Sequence, residues 1–597
     1  MPDPDNHTES ATAEASLPAT LHYSAVLEKT SSQNAEAQHE VAQPAPESES
    51  KEDTKNEAST APGTSDTPTA SDDEENHQPW RLVLLTIALC FALFLVSLDS
   101  TILATAIPSI TVEFDSLGDV AWYASSYLFA VCALQLLYGK LFTMYSAKWV
   151  FIVAVVLFEV GSVVAGVSPS SAVLIVGRAI SGAGAAGIFA GAIILVAMSV
   201  PLRQRPLYTG ILSTMHGIAS VIGPLIGGVF TDHLTWRWCF YINLPFGGVA
   251  IIVLVFFLPD HRPTAPVQSF RNQIKQFDLP GTFFLIPSVI SLLLALQWGG
   301  AKYPWSDGRI IALFVVFGVF GIIFGGIEFW QKDQATVPLR FFKNKNIVGA
   351  LWYGVWLGAG LFVFSYYLPI WFQAIQGVSA TQSGIRVLPS ILGIVVFSII
   401  GGGLATTFGQ YVPLLLVSSV ISAVGCGLLS TLQVDSGIGY WVGYQIIMAA
   451  GAGLGVQNVL LVAQVAVPKS DMAMATSFLT FTQTLSSSIF LAVAQTIFQN
   501  RLISNLTTGS PQVDPASVIG TGATGFRKSV SVEQLPSVLR AYNSALIQTF
   551  YLGVAASALS VIGPIMMDWI SLKTPQTKEN ENGAGLSSQD SQSARTT

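Results

Sequence analysis

Charge is scarce in this chain. Asp, Glu, Lys and Arg make up 11% of it and hydrophobic residues 51%, where an ordinary soluble domain carries roughly 25% charged residues. That deficit argues against a water-soluble globular protein. Cysteine is scarce too. Cys90, Cys132, Cys239 and Cys426 all fall in apolar segments, without the spacing of metal ligands, and read as small core residues. The sequence lacks a G-x-x-x-x-G-K-[ST] loop, H-E-x-x-H, G-x-S-x-G and any Cys/His cluster, so neither an ATP-driven pump nor a hydrolase is indicated. G-A-G-A-A-G at 182–187 fits a dinucleotide fingerprint only superficially, because it lies inside an apolar run with no strand before it. No enzyme activity, cofactor, metal or nucleic-acid partner is expected.

The few charges are unevenly placed. Residues 1–79 hold 17 acidic and 3 basic side chains, a net of −14, whereas the whole chain is −8, so the remainder is +6. This tail is rich in Glu, Ser, Ala, Thr and Pro, too polar to offset its ordering entropy, and is expected to be disordered. It has no positive region leading into a short apolar core, so it does not read as a signal peptide, and no lipidation motif is present. The bilayer is the expected partner of the remaining chain.

A helical span needs about 20 predominantly apolar residues. About fourteen candidates satisfy this, centred near residues 93, 128, 158, 184, 218, 248, 289, 319, 359, 396, 421, 449, 485 and 558. The expected organisation is an acidic cytosolic tail (1–79), a six-helix bundle (80–258), a linker carrying two further helices (259–345), a second six-helix bundle (346–570) with a long outer loop (499–545), and a disordered cytosolic tail (571–597). An even count puts both termini on one side. With the termini inside, inner loops carry 12 Lys and Arg and outer loops 8. Half of those 8 lie in 499–545, so the positive-inside rule favours cytosolic tails while that loop counts against it. The same loop holds a glycosylation sequon at Asn505.

Charges inside spans are expensive and mark function by default. Asp99 lies late in the first span, in L-D-S-T-I-L. A carboxylate isolated from water readily takes a proton, which is what proton coupling needs. Arg178 lies early in the fourth, in G-R-A-I-S-G-A-G. It stays charged, so its partners must be carboxylates, carbonyls or water. Glu159, Glu328 and His216 also fall in or beside apolar runs and read first as packing or helix-end residues. The fifth span contains G-I-A-S-V-I-G-P-L-I-G-G. Gly223 and Gly227 lie one above the other on a helix, and Gly217, Pro224 and Gly228 form a neighbouring stripe. Small residues let helices approach closely in lipid, and the run reads as a kinked element at a moving contact between bundles. Polar and aromatic residues suited to a bulky, weakly polar ligand are Tyr127, Trp356, Tyr366, Gln445, Gln457 and Gln483.

Together these residues resemble the major facilitator superfamily, in particular its fourteen-span drug:proton antiporter branch. L-D-S-T-I-L-A-T-A-I-P at 98–108, G-R-A-I-S-G-A-G at 177–184, the 217–228 run and W-R-W-C-F-Y-I-N-L-P-F-G at 236–247 are similar to that branch's helix motifs, the third being its antiporter motif. L-A-L-Q-W-G-G at 294–300 and Y-Y-L-P-I-W-F-Q at 366–373 look like fungal mycotoxin efflux pumps such as the HC-toxin efflux carrier. One motif departs: G-K-L-F-T-M-Y-S-A-K at 139–148 has Thr143 where the superfamily has Asp, which weakens a charge relay there and leaves Lys148 as a basic anchor. The resemblance implies an all-α membrane protein of two six-helix bundles plus two inserted helices. It also implies a monomeric plasma-membrane exporter that exchanges protons for a small molecule, with Asp99 and Arg178 handling the proton. The alternatives are a proton-coupled importer of an iron chelate or a vacuolar amino acid, with the vacuolar membrane as the alternative location, and a non-transporting membrane sensor.

Overall fold

The computed structural model describes residues 79–116, 119–258, 278–300, 302–520, 525–527 and 530–572. All of 259–277 and all but the innermost residues of both expected tails (1–78 and 573–597) therefore lie outside the described residues. Among the described residues, fourteen helices are long and apolar enough to cross a membrane. In lipid every backbone N–H and C=O must be paired within the segment, so apolar runs of this length fold as helices. They are α1 (Pro79–Phe114), α2 (Val120–Met144), α3 (Ala147–Gly166), α4 (Ser171–Ser199) and α5 (Arg205–His233). Then come α6 (Trp238–Phe257), α7 (Leu279–Trp298), α8 (Gly308–Gln331), α9 (Lys345–Gln376) and α10 (Ala380–Phe408). The last four are α11 (Val412–Leu429), α12 (Ile438–Val465), α13 (Met472–Gly509) and α14 (Leu535–Met566). Every centre expected from hydropathy falls inside its helix.

Local chemistry sets the ends. Asp278 accepts the Gly281 N–H at 2.7 Å and starts α7, and Asp307 accepts the Arg309 N–H at 2.8 Å and starts α8, as N-caps do. Gly409 closes α10 with a left-handed φ of 72° and an N–H to the Ala405 carbonyl, a conformation in which glycine carries no Cβ penalty. That turn separates α10 from α11, the two spans the sequence places closest together.

The helices pack in two groups of six. In the first, α1 packs on α5 and α6, and α4 on α2 and α3; in the second, α9 packs on α13 and α14, and α12 on α10 and α11. The groups meet along α5–α10 and α2–α13. The inserted α7 touches both α2 and α13, whereas α8 packs mainly on α7 and has only 6% of its apolar window buried. It faces lipid almost all round.

Two expectations change. The 499–545 segment is not one loop. Helix α13 continues to Gly509 because Leu502 and Leu506, one turn apart, stay buried in the core shared with α14. The connection shrinks to 510–534 and contains a short helix, Pro515–Gly520. Asn505 consequently sits half-buried on a helix, its amide donating to the Ala541 carbonyl at 3.3 Å. That is not the open loop a glycan acceptor occupies.

Candidate functional site

Asp99 and Arg178 meet. The Arg178 guanidinium is ion-paired with the Asp99 carboxylate across α1 and α4, with 1% and 0% of their side chains exposed. At that burial a lone charge would be untenable, so each residue depends on the other. Two tyrosines of α2 hold the arginine. Its Nε donates to the Tyr123 carbonyl at 3.0 Å, and its Cζ lies 4.5 Å from the centre of the Tyr127 ring, a cation–π arrangement. Small residues make the approach possible. Gly177 and Gly182 bring α4 against the backbones of Ala165 and Tyr127, where a Cβ would clash. Asp99 Oδ1 has no hydrogen-bond partner.

Behind the pair, α3 and α6 carry a second polar set. Glu159 is 8% exposed and neither of its carboxylate oxygens is hydrogen-bonded. It rests on Gly247, where any Cβ would collide with the carboxylate. Asn243, one turn earlier on α6, donates to Ser162 Oγ at 3.1 Å and leaves its own Oδ1 unpaired. On the other side, His216 of α5 is exposed and its Nδ1 lies 3.2 Å from Ser97 Oγ of α1.

The glycine run is placed differently from the expectation that it forms the contact between bundles. Gly223 and Gly227 face α1 within their own bundle, against Thr101, Ile102 and Thr105. Thr101 Oγ1 donates to the Ala219 carbonyl at 3.1 Å across this joint. Gly217 alone of the five faces the other bundle, at Val395 of α10. Gly228 has nothing near its Cβ position, and Pro224 is exposed. Helical periodicity reveals which glycines share a face but not which neighbour that face meets. Gly184, Gly187 and Gly191 of α4 likewise pack inside the first bundle, against α2 and α3.

The six residues expected to line a substrate cavity do not form one site. Tyr127 belongs to the arginine's cradle. Gln445 is fully buried, its amide donating to the carbonyls of Arg386 and Trp441 at 2.9 and 3.1 Å. Trp356 packs on Trp352 and Phe490, and Gln483 lies against the Gly358 position, both at the α9–α13 contact. Tyr366 is half-exposed against Tyr367, and Gln457 marks an interruption in α12, between Val456 and Asn458. A cavity of about 360 Å³ among Phe94, Leu98, Ile222 and Phe246 includes none of the six.

Contacts between the bundles cluster toward the end where the described termini lie. There Gln135 donates to Thr480 Oγ1 at 3.1 Å, Gly139 meets Ser477, Gly210 meets the Ser398 carbonyl and Gly402 meets that of Pro206. At the same end Lys140 of α2 reaches the linker, donating to the carbonyls of Gln334 and Ala335. Glu328 accepts the N–H groups of Thr336 and Val337 at 3.2 and 2.8 Å, and Asp278 accepts from Gln331 and Thr336. Glu328 is therefore structural. Sequence reasoning missed Lys140 because its partners are backbone atoms almost 200 residues away. Lys148 donates to the Val255 and Leu258 carbonyls and closes α6. Replacing Lys140 by Met strands the buried Ala335 carbonyl and removes the bond to the exposed Gln334, and should cost about 1–3 kcal/mol, measured as a lower melting temperature of the purified protein; an unchanged melting temperature would show that the linker contact carries no stability.

At the opposite end, Arg237 and Trp236 clamp Glu113 of α1 at 2.8 and 2.6 Å. The hydrogen bond from Arg237 lowers the Glu113 pKa first of all, partial burial opposes it, and Trp236 helps.

The profile of the Major Facilitator Superfamily matches residues 89–491. The chain belongs to the major facilitator superfamily. Among its curated relatives, the MFS-type transporter astH of Aspergillus oryzae is 49% identical over 83% of this chain and 88% of its own length. The efflux pump roqT of Penicillium rubens is 49% identical over 85% and 94%. The MFS-type efflux pump MFS1 of Trichophyton rubrum is 47% identical over 83% and 92%. The fold is shared with the proton:xylose symporter XylE at a TM-score of 0.53 and 13% identity, covering 80% of this chain and 95% of that one. A double tryptophan variant of XylE gives 0.57 and 12%, covering 83% and 98%. This facilitator is thus a multi-pass membrane transporter of small molecules, not an enzyme.

Proposed function

We propose that this facilitator is a proton-coupled exporter of a secondary metabolite, toxin or drug, working by alternating access between its two bundles. The observation that carries the reading is the Asp99–Arg178 pair. A carboxylate whose ionic partner is a single arginine and whose second oxygen is unpaired has two discrete states. Ionised, it binds Arg178; protonated, it releases Arg178 and with it the tie between α1 and α4. A local charge change that biases a two-state packing is the usual form of such a switch. The names of the relatives support export, and the excess of basic residues on the inner loops supports cytosolic tails. With the tails inside, the clustered bundle contacts belong to a state closed toward the cytosol. The plasma membrane and a monomer complete the reading.

The test is transport of a fluorescent amphipathic dye in oriented vesicles holding the purified chain. Dye should move against an inwardly directed proton gradient and stop when a protonophore collapses it. Dye moving together with the protons would overturn export.

A further inference from the structure

We propose that Glu159 is a second proton-binding carboxylate, which shares a single negative charge with Asp99 opposite Arg178. The argument begins with charge. The charged group that acts on Glu159 is Asp99 of α1, which is itself paired with Arg178 of α4, and Cys239 of α6 feels the same Asp99 charge. One of these is a cation. A buried cluster with one cation supports one anion, because a second ionised carboxylate would be both desolvated and repelled. Arg178 is bonded to Asp99, and Asp99 lies close enough for its charge to act on Glu159.

Hydrogen-bond geometry points the same way. Both Glu159 oxygens, Asn243 Oδ1 and Asp99 Oδ1 are buried acceptors without a donor. Buried polar groups are almost always paired, and an exception calls for an explanation. A proton on Glu159 turns one of these four atoms into a donor and removes the charge from the other Glu159 oxygen, since a carboxylic acid carries one O–H. Gly247 is what lets the carboxyl reach this position: a methyl group there would occupy the space of the carboxylate. The recess is shaped for the Glu159 side chain, which it holds without giving it an ionic partner.

The two carboxyls then titrate as a unit rather than singly. While Arg178 holds ionised Asp99, Glu159 keeps its proton. When Asp99 takes a proton from water, the repulsion ends, Arg178 is released, and Glu159 is free to give its proton to water on the other side of the cycle. This coupling role rests on the proposed proton-driven export; the protonation of Glu159 does not.

The test is the infrared spectrum of the full chain in lipid nanodiscs at neutral pH, where a carboxylic acid shows a C=O stretch distinct from ionised carboxylates. The band should be lost in Glu159→Gln, retained in Glu159→Asp, and weakened or lost in Asp99→Asn, where the single negative charge passes to Glu159. A band that persists in Glu159→Gln overturns the assignment, whatever Asp99 does. For the coupling, Glu159→Gln should lose gradient-driven dye flux while dye-for-dye exchange at equal pH continues. Wild-type gradient-driven flux in Glu159→Gln would overturn the coupling role. Failure of the export reading itself has a different signature: dye moving together with the protons in the unmodified chain, whose infrared band is still present and still lost in Glu159→Gln.

Discussion

Replacing Asp99 by Asn should leave the fold intact and abolish transport driven by a proton gradient. Removing one partner of a buried ion pair outright costs about 3–5 kcal/mol, since it strands the other charge. Asn limits that loss. It keeps the carboxamide oxygen as an acceptor for Arg178, which also retains the Tyr123 carbonyl and the Tyr127 ring. What Asn removes is the ability to exist in two charge states. The variant is fixed in one, so the tie between α1 and α4 no longer responds to pH. Dye-for-dye exchange across vesicles at equal pH needs the movement of the bundles but no net proton transfer, and should persist. Gradient-driven accumulation should fall to the background of empty vesicles. Asp99→Glu, which still titrates, should recover part of it. Wild-type accumulation by Asp99→Asn would remove this residue from the mechanism.

The membrane-spanning framework was legible because lipid imposes a length and a composition on every span. The Asp99–Arg178 pair was legible one residue at a time, since each is costly in an apolar run. Their meeting across 79 residues of sequence was not. Nor was the burial of Glu159, whose signal is identical to that of Glu328. One carboxylate finds two backbone N–H groups in the linker, the other finds none. Such differences depend on which helices become neighbours. The end of α13 was misplaced for a related reason. Arg501 and the polar residues after it read as loop, but Leu502 and Leu506 face the core shared with α14 and extend the helix. Of the six aromatic and amide residues expected at a substrate cavity, Gln445 shows the limit most clearly. An uncharged polar residue in a span serves backbone carbonyls as readily as a ligand, and here it serves two.

Gly227→Leu should abolish transport, and the structure changes the reason. The side chain would not obstruct a contact between bundles. A Cβ at Gly227 would lie 2.8 Å from the Ile102 carbonyl oxygen and closer still to Thr105 Oγ1, so even Ala requires α5 to move away from α1. Overpacking of this kind costs about 1–3 kcal/mol, and Leu adds three further carbons. Separation of α5 from α1 would also break the bond from Thr101 to the Ala219 carbonyl and disturb the helix that carries Asp99. Loss of flux should therefore come with a lower melting temperature. Two neighbours provide the contrast. Gly228 has open space at its Cβ position, so Gly228→Ala should keep full flux and gain up to about 1 kcal/mol from helix propensity. Gly217→Leu meets the Val395 side chain on α10, across the bundle boundary. It should slow the cycle while the first bundle stays as stable as before, because that contact must part and re-form. A Gly227→Leu variant with wild-type flux and melting temperature would show that α1 and α5 are not held together at this point.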